Sequence, residues 1–151
     1  MSLTYSEAVD EMFALFLTAW NAGSSAIAGY IPEIRWQGKE DPSTPDSSKF
    51  WCRVSVQSVF EEQAGVSALP SVGKRRYESS GLLFVQIFCP KSKADSFAVG
   101  RKLAELAKAT YRGKTTPCKV IFQNVRINEL PIENLSYRFN VIAEYEYDEI
   151  S

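Results

Sequence analysis

Between Gly81 and Cys89 the chain carries two interleaved rows of apolar residues. Leu83, Val85, Ile87 and Cys89 share one face of an extended segment, and Leu82, Phe84, Gln86 and Phe88 share the other. Apolar character on both faces predicts a strand inside a sheet. Pro90 ends it, because proline has no N–H to give a ladder. The period then changes from two to that of a helix over residues 94–111. Val99, Leu103, Leu106 and Thr110 form a stripe, flanked by Phe97, Ala104 and Ala107. Arg101, Lys102, Glu105, Lys108 and Arg112 take the opposite side. Asp95 is placed to cap the start, and Gly113 suits a left-handed residue past the end.

A second helix is predicted at the N-terminus. Thr4-Tyr-Ser-Glu7 has the capping-box pattern, in which hydroxyl and carboxylate satisfy each other's backbone donors. Val9, Met12, Phe13, Phe16, Leu17 and Trp20 follow at helical spacing, and the helix should end near Asn21-Ala-Gly23. The ordinary reading of this aromatic stripe is a core face against a sheet; a cofactor slot is the alternative. Residues 24–30 read as a small-residue link. Residues 32–37 read as a short strand, and the Pro-, Asp- and Ser-rich residues 38–49 as a loop in which Asp41 and Asp46 are turn residues.

Three more strands are predicted. Over residues 50–60, Phe50, Cys52, Val54, Val56, Ser58 and Phe60 alternate with Trp51, Arg53, Ser55, Gln57 and Val59. The first row should meet the helices, and the half-polar second row should face water or a neighbouring subunit. Over residues 119–128, Ile121, Gln123, Val125 and Ile127 oppose Val120, Phe122, Asn124 and Arg126, with Pro131 breaking the chain afterwards. Over residues 135–147, Tyr137, Phe139, Val141, Ala143, Tyr145 and Tyr147 oppose Arg138, Asn140, Ile142, Glu144 and Glu146. Its acidic end reads as an exposed edge, where charge discourages aggregation.

Residues 61–76 show neither period. They contain Gly65, Pro70 and Gly73 and end in Lys74-Arg75-Arg76. A structureless connection of this length in a compact domain usually binds something or moves. It reads either as an exposed hairpin tip or solvated loop, or as an arm that orders against a partner. The element order is met by an α+β fold. It is a single domain over residues 1–151, with one mixed or antiparallel sheet of about four to five strands and two helices on one face.

Composition narrows the chemistry. The 151 residues carry 17 Lys and Arg against 18 Asp and Glu, so no basic excess points to nucleic acid. There is no histidine, which removes the commonest general base, the His-activated nucleophiles and the usual zinc sets. Cys52, Cys89 and Cys118 are odd in number and widely spaced, and read as reduced thiols in a cytosolic protein. The sequence offers no membrane-spanning run and no signal peptide. Glu61 and Glu62 are adjacent and would point to opposite faces of a strand, a poor acid–base pair. Phosphate-loop and dinucleotide motifs are absent, as is CxxC. The expectation is a protein without catalytic, metal or cofactor-binding residues.

The order of segments resembles the tail terminator proteins of long, non-contractile-tailed, lambda-like bacteriophages. An N-terminal amphipathic helix precedes Ile34-Arg-Trp-Gln37, a Pro-containing loop and Phe50-Trp-Cys-Arg-Val-Ser-Val56. The long connection leads to Tyr77-Glu-Ser-Ser-Gly-Leu-Leu-Phe-Val-Gln-Ile87, a helix, Phe122-Gln-Asn-Val-Arg-Ile127 and the closing Tyr137-Arg-Phe-Asn-Val-Ile-Ala-Glu-Tyr-Glu-Tyr-Asp148. The resemblance covers nearly the whole chain. It implies a subunit of a six-membered ring that caps the tail tube, stops its polymerisation and offers the head connector, or neck protein, a joining surface. The implied partners are copies of itself, the tube protein and the neck, with neither membrane nor specific nucleic acid. The implied location is the virion tail-neck region after assembly in the host cytoplasm. Lys74, Arg75 and Arg76 are candidate contacts of such a ring, complementary to Glu144, Glu146 and Asp148 on the next subunit. Arg53 and Gln57, on the mixed face of the long strand, complete the candidate set. The same pattern also fits another phage neck or head-completion protein. A different class, a small-molecule-binding α+β domain with its pocket between helix and sheet, remains open beside them.

Overall fold

The computed structural model describes residues 4–39, 43–66, 75–90, 94–133 and 136–150. The chain runs α1 (Tyr5–Ala28), β1 (Glu33–Trp36), β2 (Trp51–Val66), β3 (Arg75–Pro90), α2 (Ser96–Tyr111), β4 (Ile121–Glu133) and β5 (Ser136–Ile150). The fold is α+β. One mixed sheet has the order β1-β2-β3-β5-β4, parallel only between β1 and β2.

The capping box of α1 forms as its sequence predicts. Thr4 Oγ1 accepts from the Glu7 N–H at 3.2 Å, while the Thr4 N–H donates to Glu7 Oε1 at 3.1 Å. The helix does not end near Gly23. It continues through Ser24, whose hydroxyl bonds the Trp20 carbonyl at 2.6 Å, and stops at Gly29, where φ is +86°. Gly23 is held in the helix by packing: a Cβ there would meet the Leu106 methyls of α2 at 3.0 Å. Tertiary contact thus overrides glycine's poor helix propensity. The buried line of α1 is Ala8, Met12, Phe16, Trp20 and Ser24, spaced by four, and Leu17 is left 42 % exposed.

Both helices cover the same sheet face. Phe13 and Phe16 pack on Trp36, whose register partner Val54 is buried. Leu103, Ala104 and Ala107 of α2 join Leu83, Val85, Ile87, Phe139, Val141 and Ala143 in the core. The two helices are tied by Tyr111, whose buried hydroxyl donates to the Met12 carbonyl at 2.9 Å. Asp95 occupies the N-cap position of α2, but its side chain makes no capping bond. Gly113 is left-handed as expected, with φ +70°.

Register slips in β2 and β4 change which side chains share a face. Between Ser58 and Phe60 the β2–β3 register slips by one residue at Val59. A bulge of this kind reverses the alternation beyond it. Phe60 pairs with Ser80 on the uncovered face and is 53 % exposed, instead of meeting the helices with Val54 and Val56. In β4 the register slips between Gln123 and Arg126, where Asn124 has φ +49°. Phe122 faces the helices before the slip, and Ile127, beside Val141, faces them after it. The uninterrupted alternation expected for this strand is therefore corrected. Pro131 does not break the chain: it lies within edge strand β4, at a second slip between Leu130 and Glu133. An edge position leaves no ladder donor missing.

The last strand, β5, is interior between β3 and β4 as far as Glu146; past it only β3 lies alongside, so the acidic end is an edge only over its final residues. Part of the 61–76 segment is regular: β2 continues to Val66 and β3 begins at Arg75, paired through Val66↔Arg75. The tip between them, including Lys74, lies outside the described residues.

Candidate interaction surface

Pairwise register lays out the face that the helices leave bare. Cross-strand partners point to the same side. Taken across β2, β3, β5 and β4, the rows read Trp51–Phe88–Arg138–Leu130, then Arg53–Gln86–Asn140–Asn128, then Ser55–Phe84–Ile142–Arg126. They continue as Gln57–Leu82–Glu144–Gln123, Phe60–Ser80–Glu146–Ile121 and, on three strands, Glu62–Glu78–Asp148. Arg53, Gln57, Glu144, Glu146 and Asp148 of the predicted set therefore stand on one surface. Arg75 and Arg76 begin β3, and Arg76 pairs with Ile150 of the same chain. Lys74 and the side chains of Arg75 and Arg76 lie outside the described residues, and with them the expected pairing to the acidic strand.

At one end of this face Trp51 and Phe88 stack with ring centroids 4.0 Å apart and planes 4° from parallel. The Arg53 guanidinium lies over both rings, at 5.6 and 5.8 Å, and Arg138 lies over Phe88 at 5.9 Å. Cation–ring attraction holds these arginines flat against the sheet. At the other end Glu144 accepts from Arg126 at 2.9 Å and from Asn124 at 2.6 Å, and Glu146 accepts from Gln123 at 3.0 Å. A shallow groove of about 330 Å³ runs among Val59, Gly81, Leu82, Gln123 and Glu144. Gly81 is required at its floor, since a Cβ there would collide with the Gln57 carbonyl and the Tyr145 ring. Burial pushes the Tyr145 phenol up to about 12 and raises Tyr147 as well. A second groove of about 390 Å³ lies at the β1–β2 margin, lined by Tyr30, Ile31, Glu33, Asp46, Lys49 and Trp51. Neither groove lies between the helices and the sheet.

Among the described residues no group of three or more Cys, Asp or Glu is placed to hold a metal ion. Burial pushes the thiols of Cys52 and Cys89 far above their ordinary range, Cys89 to about 12, which suits small core residues and disfavours nucleophiles. Cys118 is raised too, by the hydrogen bond it shares with Glu11. No helix among the described residues is long and apolar enough to cross a membrane.

Sequence reading put Trp51 in the row facing water or a neighbour and Arg138 in the polar row of the last strand, but left both of them, with Phe88 and Phe60, out of the candidate set. The first three were legible as neighbours of Arg53 once the β2–β3–β5 register was known. Phe60 was not, because a bulge of one residue leaves no mark in an alternating sequence.

No family model matches the chain, and no curated protein matches it. Among solved structures, a protein whose name describes no function aligns over 94 % of this chain and 94 % of its own length. Its TM-score is 0.51 and its identity 14 %, a likeness of fold alone.

Proposed function

We propose that this protein is a bacteriophage tail terminator: a ring-forming subunit that caps the tail tube, stops tube-protein polymerisation and gives the neck its joining surface. One observation carries the reading. Among the described residues no element covers the second face of the sheet, and β2 and β3 continue as a paired arm to Val66 and Arg75. Val59 and Phe60 on that face are 60 % and 53 % exposed, and adjoining exposed apolar side chains of this kind mark an interaction surface. A ring subunit uses such a face and such an arm against different patches of its neighbours, as heterologous closure requires. The order of segments resembles the terminator family, and the residues collected on the bare face suit recognition better than bond-making. The paired strands of the arm suit contact with a polymer end.

Tails assembled without the protein test the proposal. Tubes should become overlong and headless, and adding the purified chain to a polymerising tube should arrest growth at substoichiometric amounts. Tubes of normal length that merely lack heads would assign the chain to the neck instead. Unchanged tails and heads would remove it from this pathway.

A further inference from the structure

The uncovered face separates its charges along the strands. Toward one end stand Arg53, Arg138 and Arg126, and toward the other Glu144, Glu146, Glu62, Glu78 and Asp148. Most of these charges already interact within the chain: Arg126 with Glu144 at 2.9 Å, Glu146 with Gln123 at 3.0 Å, Arg138 with the Phe88 ring, and Glu78 and Asp148 as well. Arg53 lies over the rings of Trp51 and Phe88, and Glu62 is exposed. The two middle rows are mixed, with Ser55, Phe84, Ile142 and Leu82 beside Arg126, Gln57, Glu144 and Gln123. Val59 and Phe60 project beside them, 60 % and 53 % exposed.

We propose that this face packs against the same face of a second copy of the chain. The two sheets lie antiparallel about a two-fold axis that runs between them, across the strands. That rotation reverses the order of the rows and keeps each strand over its own copy. Arg53 then comes over the rows of the partner's Phe60 and the partner's Glu62, and the exposed Phe60 meets a cationic aromatic cluster. Charge complementarity follows from the face alone, because its two ends are opposite in sign and a two-fold brings opposite ends together. The area is sufficient. Four strands about 4.8 Å apart, with rows spanning about 33 Å, present about 600 Å² per copy. Together this clears the roughly 1,000 Å² that a specific interface needs. Aligned sheets packed in this way form the two halves of a sandwich.

The dimer itself does not rest on the ring reading. One consequence does: the dimer covers Arg53, Gln57, Glu144 and Glu146, which are candidates for ring closure. Dimer and ring then compete, and the dimer is a reserve form of the free chain.

Sedimentation of the purified full chain, over a range of concentration and at low and high salt, tests the proposal. A two-copy mass that dissociates on dilution, and more readily in high salt, is expected. Arg53→Glu and Glu62→Arg should each weaken the dimer by about tenfold, since an attraction becomes a repulsion at two symmetric places. The double variant R53E/E62R should bind within about threefold of the original chain, because its swapped charges attract again. Both positions are exposed in β2, and circular dichroism establishes that each variant keeps its fold. A chain monomeric at every concentration, or single variants no weaker than the original, would overturn the inference. So would a six-copy ring as the sole assembly, indifferent to both substitutions, and that result would leave the terminator proposal standing. A dimer in a chain that fails to arrest tube growth would do the reverse.

Discussion

Gly100 sits in the middle of α2, where helix propensity and packing predict opposite effects of one methyl group. On propensity alone, Gly100→Ala stabilises a helix by about 1 kcal/mol. In this fold Gly100 is buried against β3 and β5. An added Cβ would lie 2.9 Å from Phe139 Cε2 and closer still to Cys89 Sγ. Both neighbours are buried and held between α2 and the sheet, so neither is the free end of a flexible side chain. Overpacking of this kind costs about 1–3 kcal/mol. Because the approach to Cys89 Sγ is closer than real Cβ contacts ever are, the upper end of that range applies, and after the propensity gain the net expectation is a loss of about 2 kcal/mol, each kcal/mol lowering the melting temperature by about 2–4 °C. Urea unfolding followed by the fluorescence of buried Trp20 measures it, with an unchanged denaturant slope showing that stability alone has moved. Cys89→Ala removes the nearer obstacle. In that background the same glycine substitution should become close to neutral, giving a coupling of about 1 kcal/mol or more. A Gly100→Ala chain as stable as the original, or strict additivity with Cys89→Ala, would refute this account of how α2 docks.

Other expectations follow from single contacts. Burial raises the Glu11 carboxyl, but hydrogen bonds from Cys118 and Thr116 outweigh it and leave its pKa below the ordinary value. A depressed carboxylate stabilises above its unfolded pKa and loses that stabilisation as pH falls through the folded one, so Glu11→Gln should be less stable near neutrality, by under about 1 kcal/mol, and indistinguishable once acid has protonated both states. The Gln37 side chain extends the β1 ladder by accepting from the Val56 N–H at 2.8 Å and donating to its carbonyl at 3.2 Å, so Gln37→Leu should speed hydrogen exchange at Val56 and leave β3 amides unchanged. Thiol labelling of the native chain should modify Cys118 alone, and slowly, with Cys52 and Cys89 reacting only after denaturation; rapid labelling of all three would contradict their burial.

Much of the architecture was legible because periodicity and capping are local. The capping box at Thr4, the switch from strand to helix after Pro90 and the buried row of β5 all depend on residues within a few positions of one another. What escaped depends on partners far along the chain. Gly23 read as a stop, yet Leu106 closes over it, and α1 runs on to Ala28. The acidity of 144–149 read as an edge, yet β4 returns to pair with β5 as far as Glu146. Only the last residues of β5, past Glu146, have β3 alone beside them.

The bare face was half legible for a related reason. Alternation identifies which residues of one strand share a side, and so it brought Arg53 and Gln57 together. It cannot show how sides are matched between strands, which register alone decides. The β3–β5 register sets Glu144 beside Leu82, and the β2–β3 register sets Leu82 beside Gln57, which converts separate motifs into one surface with a charge at each end. The bulge at Val59 matters most in that conversion. Without the extra residue, Phe60 would turn inward with Val56 and add to the core; with it, the ring stands on the bare face in the row of Ser80 and Glu146. A core that gives up a phenylalanine forgoes about 2 kcal/mol of burial. Under the proposed dimer that loss in the isolated chain is offset once the partner copy covers the ring.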